Sequence, residues 1–141
     1  MLYIGKDTLN FIKDISTANS PHEICGLLTG RRVENDFYID RFHLIDNVST
    51  NDPKWDFVMD PLQLMQTLDI TNYSDKQSDI YLCGIVHSHP LGKAIPSRYD
   101  INDAKNQKLK TSYLIYSVPD NELKGYIWIG NHFEEIDISI V

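Results

Sequence analysis

The sequence predicts a single α/β domain spanning residues 1–141, in which helices flank a central, curved, mixed β-sheet. A chain of 141 residues is long enough for one domain with a substantial core. Its 42% hydrophobic and 23% charged residues are typical of an ordinary globular protein. Segments with strand periodicity alternate with segments of helical periodicity along the whole chain, without an internal repeat or a linker. Interleaving of this kind indicates one mixed layer fold.

The first elements are a short strand and a helix. Residues 2–4 are apolar and predict the strand. Residues 7–18 predict the helix, with Asp7 or Thr8 as its cap, because apolar residues recur there at helical spacing. These residues are Leu9, Ile12 and Ile15. The tripeptide Asn19-Ser20-Pro21 ends the helix.

A hairpin and a loop come next. Residues 23–30, with the sequence EICGLLTG, predict a strand that is closed by glycine and by a charged turn at Arg31-Arg32. Residues 37–45 predict its hairpin partner. Residues 47–54 are polar and rich in turn-forming residues, so they predict a loop. This loop either contacts a substrate or is a plain surface loop with Trp55 packed into the core.

The middle of the chain predicts a helix followed by a buried strand. Asp60 is the expected N-cap and Pro61 the first helical residue. Apolar residues at helical spacing follow, namely Leu62, Leu64, Met65 and Leu68. The polar segment 71–78 ends this helix. Residues 80–87 are nearly continuously apolar, which is typical of a strand covered on both faces.

One helix and three strands are expected in the last third. Residues 97–110 predict the helix. The strands are predicted at residues 112–117, 124–129 and 133–140, and turn-forming residues separate them at 119–121 and 130–131.

Charge and cysteine content exclude several classes of partner. A formal net charge of -7 and a pI near 5.0 argue against a nucleic acid or an anionic membrane as the main partner, because both require clustered cations. No apolar run approaches the ~20 residues of a membrane span. Cys25 and Cys83 form no CxxC pair, and the N-terminus does not resemble a signal peptide. We therefore expect two free, buried thiols and a cytoplasmic location.

The stretch HSHPLGKAIPSRYD, residues 87–100, carries the strongest chemical signal. His87 and His89 are separated by one residue, so their side chains point to the same side of an extended backbone. The apolar run before them places His87 at the mouth of a strand and His89 in the loop just beyond. With Asp100 they give the two imidazoles and one carboxylate that a catalytic zinc ion commonly takes, leaving a fourth position for water. A hydrolase of this type also requires a base that is not a ligand, and Glu23 is the candidate.

Each of these features has a structural alternative. A single His-x-His pair is more often two hydrogen-bonded surface histidines, and Glu23 alone is more often a solvated carboxylate at a strand end. Ser97 and Asp100 also match a helix capping box. A cysteine hydrolase using Cys25 with His22 or His87 is a weaker reading, because no basic group adjoins Cys25. The zinc deaminase pattern and the HExxH pattern are absent.

The order and spacing of these residues resemble a known family. The pattern H-x-H-P-x6-S-x-x-D, formed by His87, His89, Pro90, Ser97 and Asp100, is similar to the signature of the JAMM or MPN-plus metallopeptidases. The upstream segment PHEICGLLTG resembles the stretch that carries the catalytic glutamate in prokaryotic members. The resemblance extends over essentially the whole chain and implies an MPN-like fold.

The resemblance also implies a mechanism. His87, His89 and Asp100 would bind one Zn²⁺ per chain, with water as the fourth ligand. Glu23 would take the proton of that water and deliver it to the leaving amine, while Ser97 would help to hold the oxyanion. The family hydrolyses bonds that follow the C-terminal glycines of ubiquitin or ubiquitin-like proteins, including sulfur-carrier proteins.

The chain departs from the larger relatives in one respect. Little sequence lies between Asp100 and the strand expected from Ser112, so the insertion that grips ubiquitin in those enzymes is missing. A smaller carrier protein or a shorter C-terminal tail fits better than ubiquitin. The alternative is a catalytically silent scaffold module with the same fold, which predicts loss of ligands, whereas all three ligands and the glutamate are present here.

Overall fold

The computed structural model describes residues 1–141 and contains one eight-stranded sheet and three helices. In chain order the elements are β1 (Leu2–Ile4), α1 (Lys6–Asn19), β2 (Cys25–Val33), β3 (Asp36–Ile45), α2 (Pro61–Asp69), β4 (Tyr81–His89), α3 (Arg98–Asn106), β5 (Tyr113–Ser117), β6 (Glu122–Trp128), β7 (Phe133–Ile136) and β8 (Ile138–Ile140). The mixed α/β class predicted from the sequence is confirmed. None of the helices is long and apolar enough to cross a membrane.

The strands follow the spatial order β7-β6-β5-β4-β2-β3-β1-β8. The β1–β3, β1–β8 and β4–β5 pairs are parallel, and the other pairs are antiparallel. A single residue, Asp137, joins β7 to β8, although these strands stand at opposite ends of that order. The two edges therefore approach each other, and the Ile138 side chain lies against Gly125 of β6. The sheet is curved into a nearly closed barrel.

Apolar side chains form one core on each face of the sheet. Leu9 and Ile12 of α1 belong to the cluster on one face, together with Val86 of β4. Ala104 of α3 belongs to the other cluster with Ile85 of β4. Because neighbouring residues of β4 enter different cores, this strand is covered on both faces, as its apolar sequence predicted. Both cysteines are free and buried, which is also as predicted.

Several predicted boundaries are wrong. Helix α1 begins at Lys6 with Gly5 as its N-cap, and neither Asp7 nor Thr8 caps it. Strand β2 continues through Arg31 and Arg32, whose long exposed side chains are compatible with a strand end.

The hairpin turn instead lies at residues 34–35, where Glu34 has a φ of 56°. The third helix ends at Asn106, so the segment 107–110 lies outside it. The predicted strand 133–140 is interrupted at Asp137, because its two halves pair with different neighbours. Asp60 caps α2 as predicted, since its side chain accepts hydrogen bonds from Leu62 and Gln63.

Candidate active site

The two histidines of the motif both lie in β4. His89 is the last residue of the strand and was wrongly placed in the following loop by the sequence analysis. The β4 register continues through both residues, with His87 beside Ile115 and His89 beside Ser117. Alternation along the strand then places both imidazoles on one face, where their Nε2 atoms are 3.2 Å apart. His87 is 1% exposed and His89 is 8% exposed, so the alternative of two surface histidines is wrong.

Asp100 reaches the histidines from the first turn of α3. Its Oδ1 lies 2.9 Å from His87 Nε2 and its Oδ2 lies 3.1 Å from His89 Nε2. The capping box predicted from the sequence fixes this position, because the Ser97 amide donates to Asp100 Oδ2 at 2.8 Å and the Asp100 amide donates to Ser97 Oγ at 3.2 Å. The helix cap and the imidazole contacts therefore use the same carboxylate.

The protonation pattern of this cluster fits a metal cation. Nδ1 of His89 lies 2.7 Å from the Lys93 carbonyl oxygen, which only accepts, so Nδ1 carries a proton. When His89 is neutral, its Nε2 therefore carries no proton and directs a lone pair at the Asp100 carboxylate. Burial raises the pKa of Asp100, but the charge of His87, the contacts with both imidazoles and the hydrogen bond from the Ser97 amide hold that pKa well below its usual range. The His89 nitrogen and the Asp100 oxygen are then two hydrogen-bond acceptors in contact, an arrangement that is stable only when a ring is protonated or a cation lies between them.

The donor set also matches in number and kind. One donor atom from each of His87, His89 and Asp100 lies within 4.8 Å of the others. Two imidazole nitrogens and one carboxylate oxygen are common ligands of catalytic zinc. The ring of Phe57 stacks on His87 with a centroid distance of 4.5 Å and holds the imidazole plane. These residues can hold a divalent cation without rearrangement of the backbone.

Glu23 precedes β2 and is held at the site by its backbone. The Glu23 amide donates to the Pro53 carbonyl at 2.7 Å, and the Glu23 carbonyl accepts from Asn47 Nδ2 at 3.1 Å. The next residue, Ile24, donates its amide to Ser88 Oγ at 2.9 Å and accepts from the Ser88 amide at 3.0 Å. Ser88 alternates with the two histidines on β4, so this pair of hydrogen bonds couples Glu23 to the strand that carries them.

The Glu23 carboxyl group is buried and electrostatically perturbed. Glu23 is 4% exposed, and its Oε1 has no hydrogen-bond partner. The alternative of a solvated carboxylate at a strand end is therefore wrong. Burial, followed by the negative charges of Asp100, Asp56 and Asp103, raises the pKa of Glu23 to about 9. In the metal-free protein this carboxyl group is therefore protonated at neutral pH, and strongly perturbed carboxyl groups of this kind concentrate at functional sites.

Glu23, His89 and Ser97 line one cavity of about 330 Å³. Trp55 also lines it and is 47% exposed, so the alternative that Trp55 packs into the core is wrong. The loop containing Trp55 is ordered by Asn47, whose side-chain amide donates to the carbonyls of Glu23 and Asp56. The cavity therefore brings the histidine strand, the glutamate and the loop to one place.

Two positioning residues were missed in the sequence, namely Ser88 and Asn47. Ser88 stands between the motif histidines, and the period-two alternation that unites the histidines could have assigned it to the opposite face. Asn47 lies in a polar loop where no periodic signal exists. Its amide contacts depend on chain segments that meet only in the folded protein.

The cysteine alternative is incompatible with this geometry. Cys25 is fully buried, and its thiol donates to the Ile45 carbonyl at 3.4 Å. Burial, together with the negative charges of Glu23 and Asp46, raises its pKa to about 12. A thiol in this environment supplies almost no thiolate at neutral pH.

Comparison with known proteins adds a family assignment to the geometry. Residues 6–129 match the family described as prokaryotic homologs of the JAB domain. The chain is 30% identical over 105 residues to a protein of Thermus thermophilus named "Probable TtuB-protein conjugate cleaving protease". That alignment covers 74% of this chain and 64% of the relative, so the chain matches less than two thirds of the relative's length.

Solved structures share the fold. A protein from Desulfitobacterium hafniense aligns with a TM-score of 0.84 and 26% identity, covering 100% of this chain and 93% of that one. A JAB1/MPN domain protein from Archaeoglobus fulgidus aligns with a TM-score of 0.64 and 20% identity, covering 99% and 97%. A protein from Salinibacter ruber aligns with a TM-score of 0.68 and 21% identity, covering 99% and 91%.

Proposed function

Because this chain belongs to the family of prokaryotic homologs of the JAB domain, we propose that it is a zinc-dependent peptidase or isopeptidase. The observation that carries the proposal is that His89, one of three clustered metal-ligand side chains, lines the same cavity as the buried Glu23. Neither part alone implies hydrolysis, since a metal site can be structural and a buried carboxyl group can be inert. Together they provide an electrophilic centre and a proton carrier.

His87, His89 and Asp100 would hold one Zn²⁺ per chain. A zinc ion held by these residues would lower the pKa of a bound water toward ~7 and would polarise a carbonyl oxygen. The protein's contribution is the fixed arrangement of the three donor atoms. The Lys93 carbonyl sets the tautomer of His89, and the Ser97 amide orients the Asp100 carboxylate.

Glu23 would act as general base and then as general acid. The pKa of about 9 belongs to the metal-free protein, and the positive charge of a bound Zn²⁺ would lower it and favour the carboxylate. That carboxylate would take a proton from the attacking water and return it to the leaving amine. The hydrogen bonds of the Ile24 and Glu23 backbone to Ser88 and Pro53 fix the backbone that carries the carboxyl group, which restricts the positions that the side chain can take. Its burial keeps bulk water from competing for the proton.

Ser97 would donate a hydrogen bond to the oxyanion. In the capping box Ser97 Oγ accepts from the Asp100 amide, so its hydroxyl proton remains available. The residue lines the cavity beside His89, which makes the hydroxyl accessible to a bound carbonyl group. An oxyanion donor of this kind is worth about 3 kcal/mol of transition-state stabilisation.

The substrate we propose is a ubiquitin-like or sulfur-carrier protein, cleaved after its C-terminal glycines. The name of the Thermus thermophilus relative describes cleavage of TtuB–protein conjugates, which supports a conjugated protein as the substrate class. The short connection from α3 to β5 leaves no large insertion to grip a folded partner, so recognition would depend on the tail. Two free, buried thiols support a reducing cytoplasmic setting.

The test combines metal analysis with cleavage of fusions joined through Gly-Gly tails. Wild type should contain about one zinc per chain and cleave at least one fusion. Glu23→Gln should retain the metal and lose about a hundredfold or more of the activity, whereas His89→Ala should lose both. Full activity after complete chelation, or in Glu23→Gln, would contradict the mechanism. Zinc binding without cleavage of any fusion would favour a scaffold module.

A further inference from the structure

The mouth of the cavity is positively charged although the chain as a whole is acidic. Lys54, Lys93 and Arg98 line the cavity and are exposed. None of the three forms an ion pair with a carboxylate. Glu23 is the one acidic residue of the lining, and the net charge of the chain is -7. The three cationic side chains are therefore clustered at the cavity, although the chain as a whole is acidic.

The positive surface continues along α3. A second cavity of about 440 Å³ shares Arg98 and Tyr99 with the first and extends to Ile101, Asn102 and Lys105. Arg98 and Lys105 are seven residues apart, so they lie on the same side of the helix about 10 Å from each other. The two cavities adjoin at Arg98 and Tyr99, and we call the surface that they line together the α3 groove; it extends from Glu23 to Lys105.

The walls of the α3 groove are apolar. Trp55, Leu91, Ile95 and Tyr99 line it and are 47%, 48%, 55% and 37% exposed. The Arg98 guanidinium lies 5.3 Å from the centroid of the Tyr99 ring, which presents its charge at the junction of the two cavities. Apolar walls with cations at intervals match an extended peptide that alternates apolar and acidic side chains.

We propose that the α3 groove selects substrates whose extended segment next to the scissile bond carries carboxylate side chains, with Arg98 as the main specificity-determining residue. This inference rests on the proposed peptidase function and names the chemistry of its substrate. Basic segments would meet uncompensated like charge at Lys93 and Arg98 and bind weakly. A nucleic acid is a poorer occupant, because so few cations within an acidic chain cannot neutralise a phosphate backbone.

Binding can be measured without hydrolysis. Two fluorescent peptides that end in a free Gly-Gly, one with glutamates and one with lysines upstream, would be titrated with the full-length wild-type protein by fluorescence anisotropy. At about 20 mM salt the acidic peptide should bind roughly tenfold more tightly, and the difference should shrink in about 0.5 M salt because the charges are exposed. Equal binding, tighter binding of the basic peptide, or no binding of either peptide would overturn the inference.

A matched pair of variants locates the preference. Arg98→Gln should remove most of the difference between the two peptides. Lys76→Gln removes a cation that is also exposed and unpaired but lies outside both cavities, and it should retain the full difference. An unchanged preference in Arg98→Gln would refute the role of Arg98.

Cleavage of fusions bearing the same tails separates this inference from the proposed function. If acidic tails bind selectively but no fusion is cleaved, the hydrolytic function fails and charge selection stands. If acidic and basic fusions are bound and cleaved equally, the hydrolytic function stands and charge selection fails.

Discussion

Replacing Ser88 by alanine tests whether the backbone before β2 positions the catalytic glutamate. Ser88 is fully buried, and its Oγ accepts the Ile24 amide at 2.9 Å. Alanine leaves this buried amide without a partner, which costs about 1–3 kcal/mol. For a chain of this length such a loss corresponds to a decrease in Tm of about 3–10 °C. The Ser88 amide still donates to the Ile24 carbonyl, so the strands should remain paired.

Activity should fall by more than the loss of stability explains. Without the Oγ contact the Ile24 amide is free to move, and Glu23 moves with it. Because a displacement near 1 Å can reduce the rate about a hundredfold, we expect kcat to fall roughly ten- to a hundredfold at a temperature where the variant is fully folded. KM should change little, since Ser88 does not line the cavity.

The assays are denaturant unfolding and cleavage of a Gly-Gly fusion, with zinc content measured in parallel. Ser74→Ala is the matched control, because Ser74 is exposed and its hydroxyl makes no hydrogen bond, and it should change neither quantity. A Ser88→Ala protein with wild-type kcat would refute the positioning role even if it were destabilised. A variant within 0.5 kcal/mol of wild type would refute the hydrogen-bond argument itself.

Four further outcomes are expected. Addition of zinc should raise the Tm of metal-free wild type but not that of His89→Ala, because a ligand stabilises only the state that binds it; equal shifts would contradict the ligand assignment. In metal-free protein the pKa of Glu23 is raised from 4.5 to about 9, so its stabilising contribution is present below pH 4.5 and is lost as the pH rises toward 9. Glu23→Gln should accordingly be more stable than wild type at pH 8 and equal to it near pH 4, as unfolding at the two pH values would reveal. Gly30→Ala should abolish folding or cost more than about 3 kcal/mol, because the new Cβ would overlap the Tyr38 carbonyl oxygen. Gly5→Ala meets no atom within 4 Å and should have a smaller effect, and circular dichroism would distinguish the two variants. Cys25 should resist alkylation in native protein at pH 8 and react after denaturation, and rapid native labelling at that thiol, detected by mass spectrometry, would contradict its burial.

The predictions that were confirmed depend on local patterns. The apolar run before His87 predicted a strand covered on both faces, and Asp60-Pro61 predicted the start of α2. The errors concern ends of elements, where local preference is weak. Arg31 and Arg32 suggested a turn because they are charged, yet a strand end accepts charged residues whenever their side chains reach solvent. His89 was predicted to lie in a loop because the apolar run ends just before His87, although the pairing with β5 continues the strand through His89.

The sequence by itself determined the fold class, the buried strand and the types of donor atom, because hydrophobic periodicity and the His-x-His spacing act over a few residues. The tertiary structure decided how the sheet curves, since Asp137 divides the last segment between two opposite edges. It also brought Glu23 to the histidines through Ser88, exposed Trp55 at the cavity and aligned Arg98 with Lys105 along the α3 groove. Burial, pKa shifts and shared cavities arise from segments far apart in the chain, and no pattern of neighbouring residues encodes them.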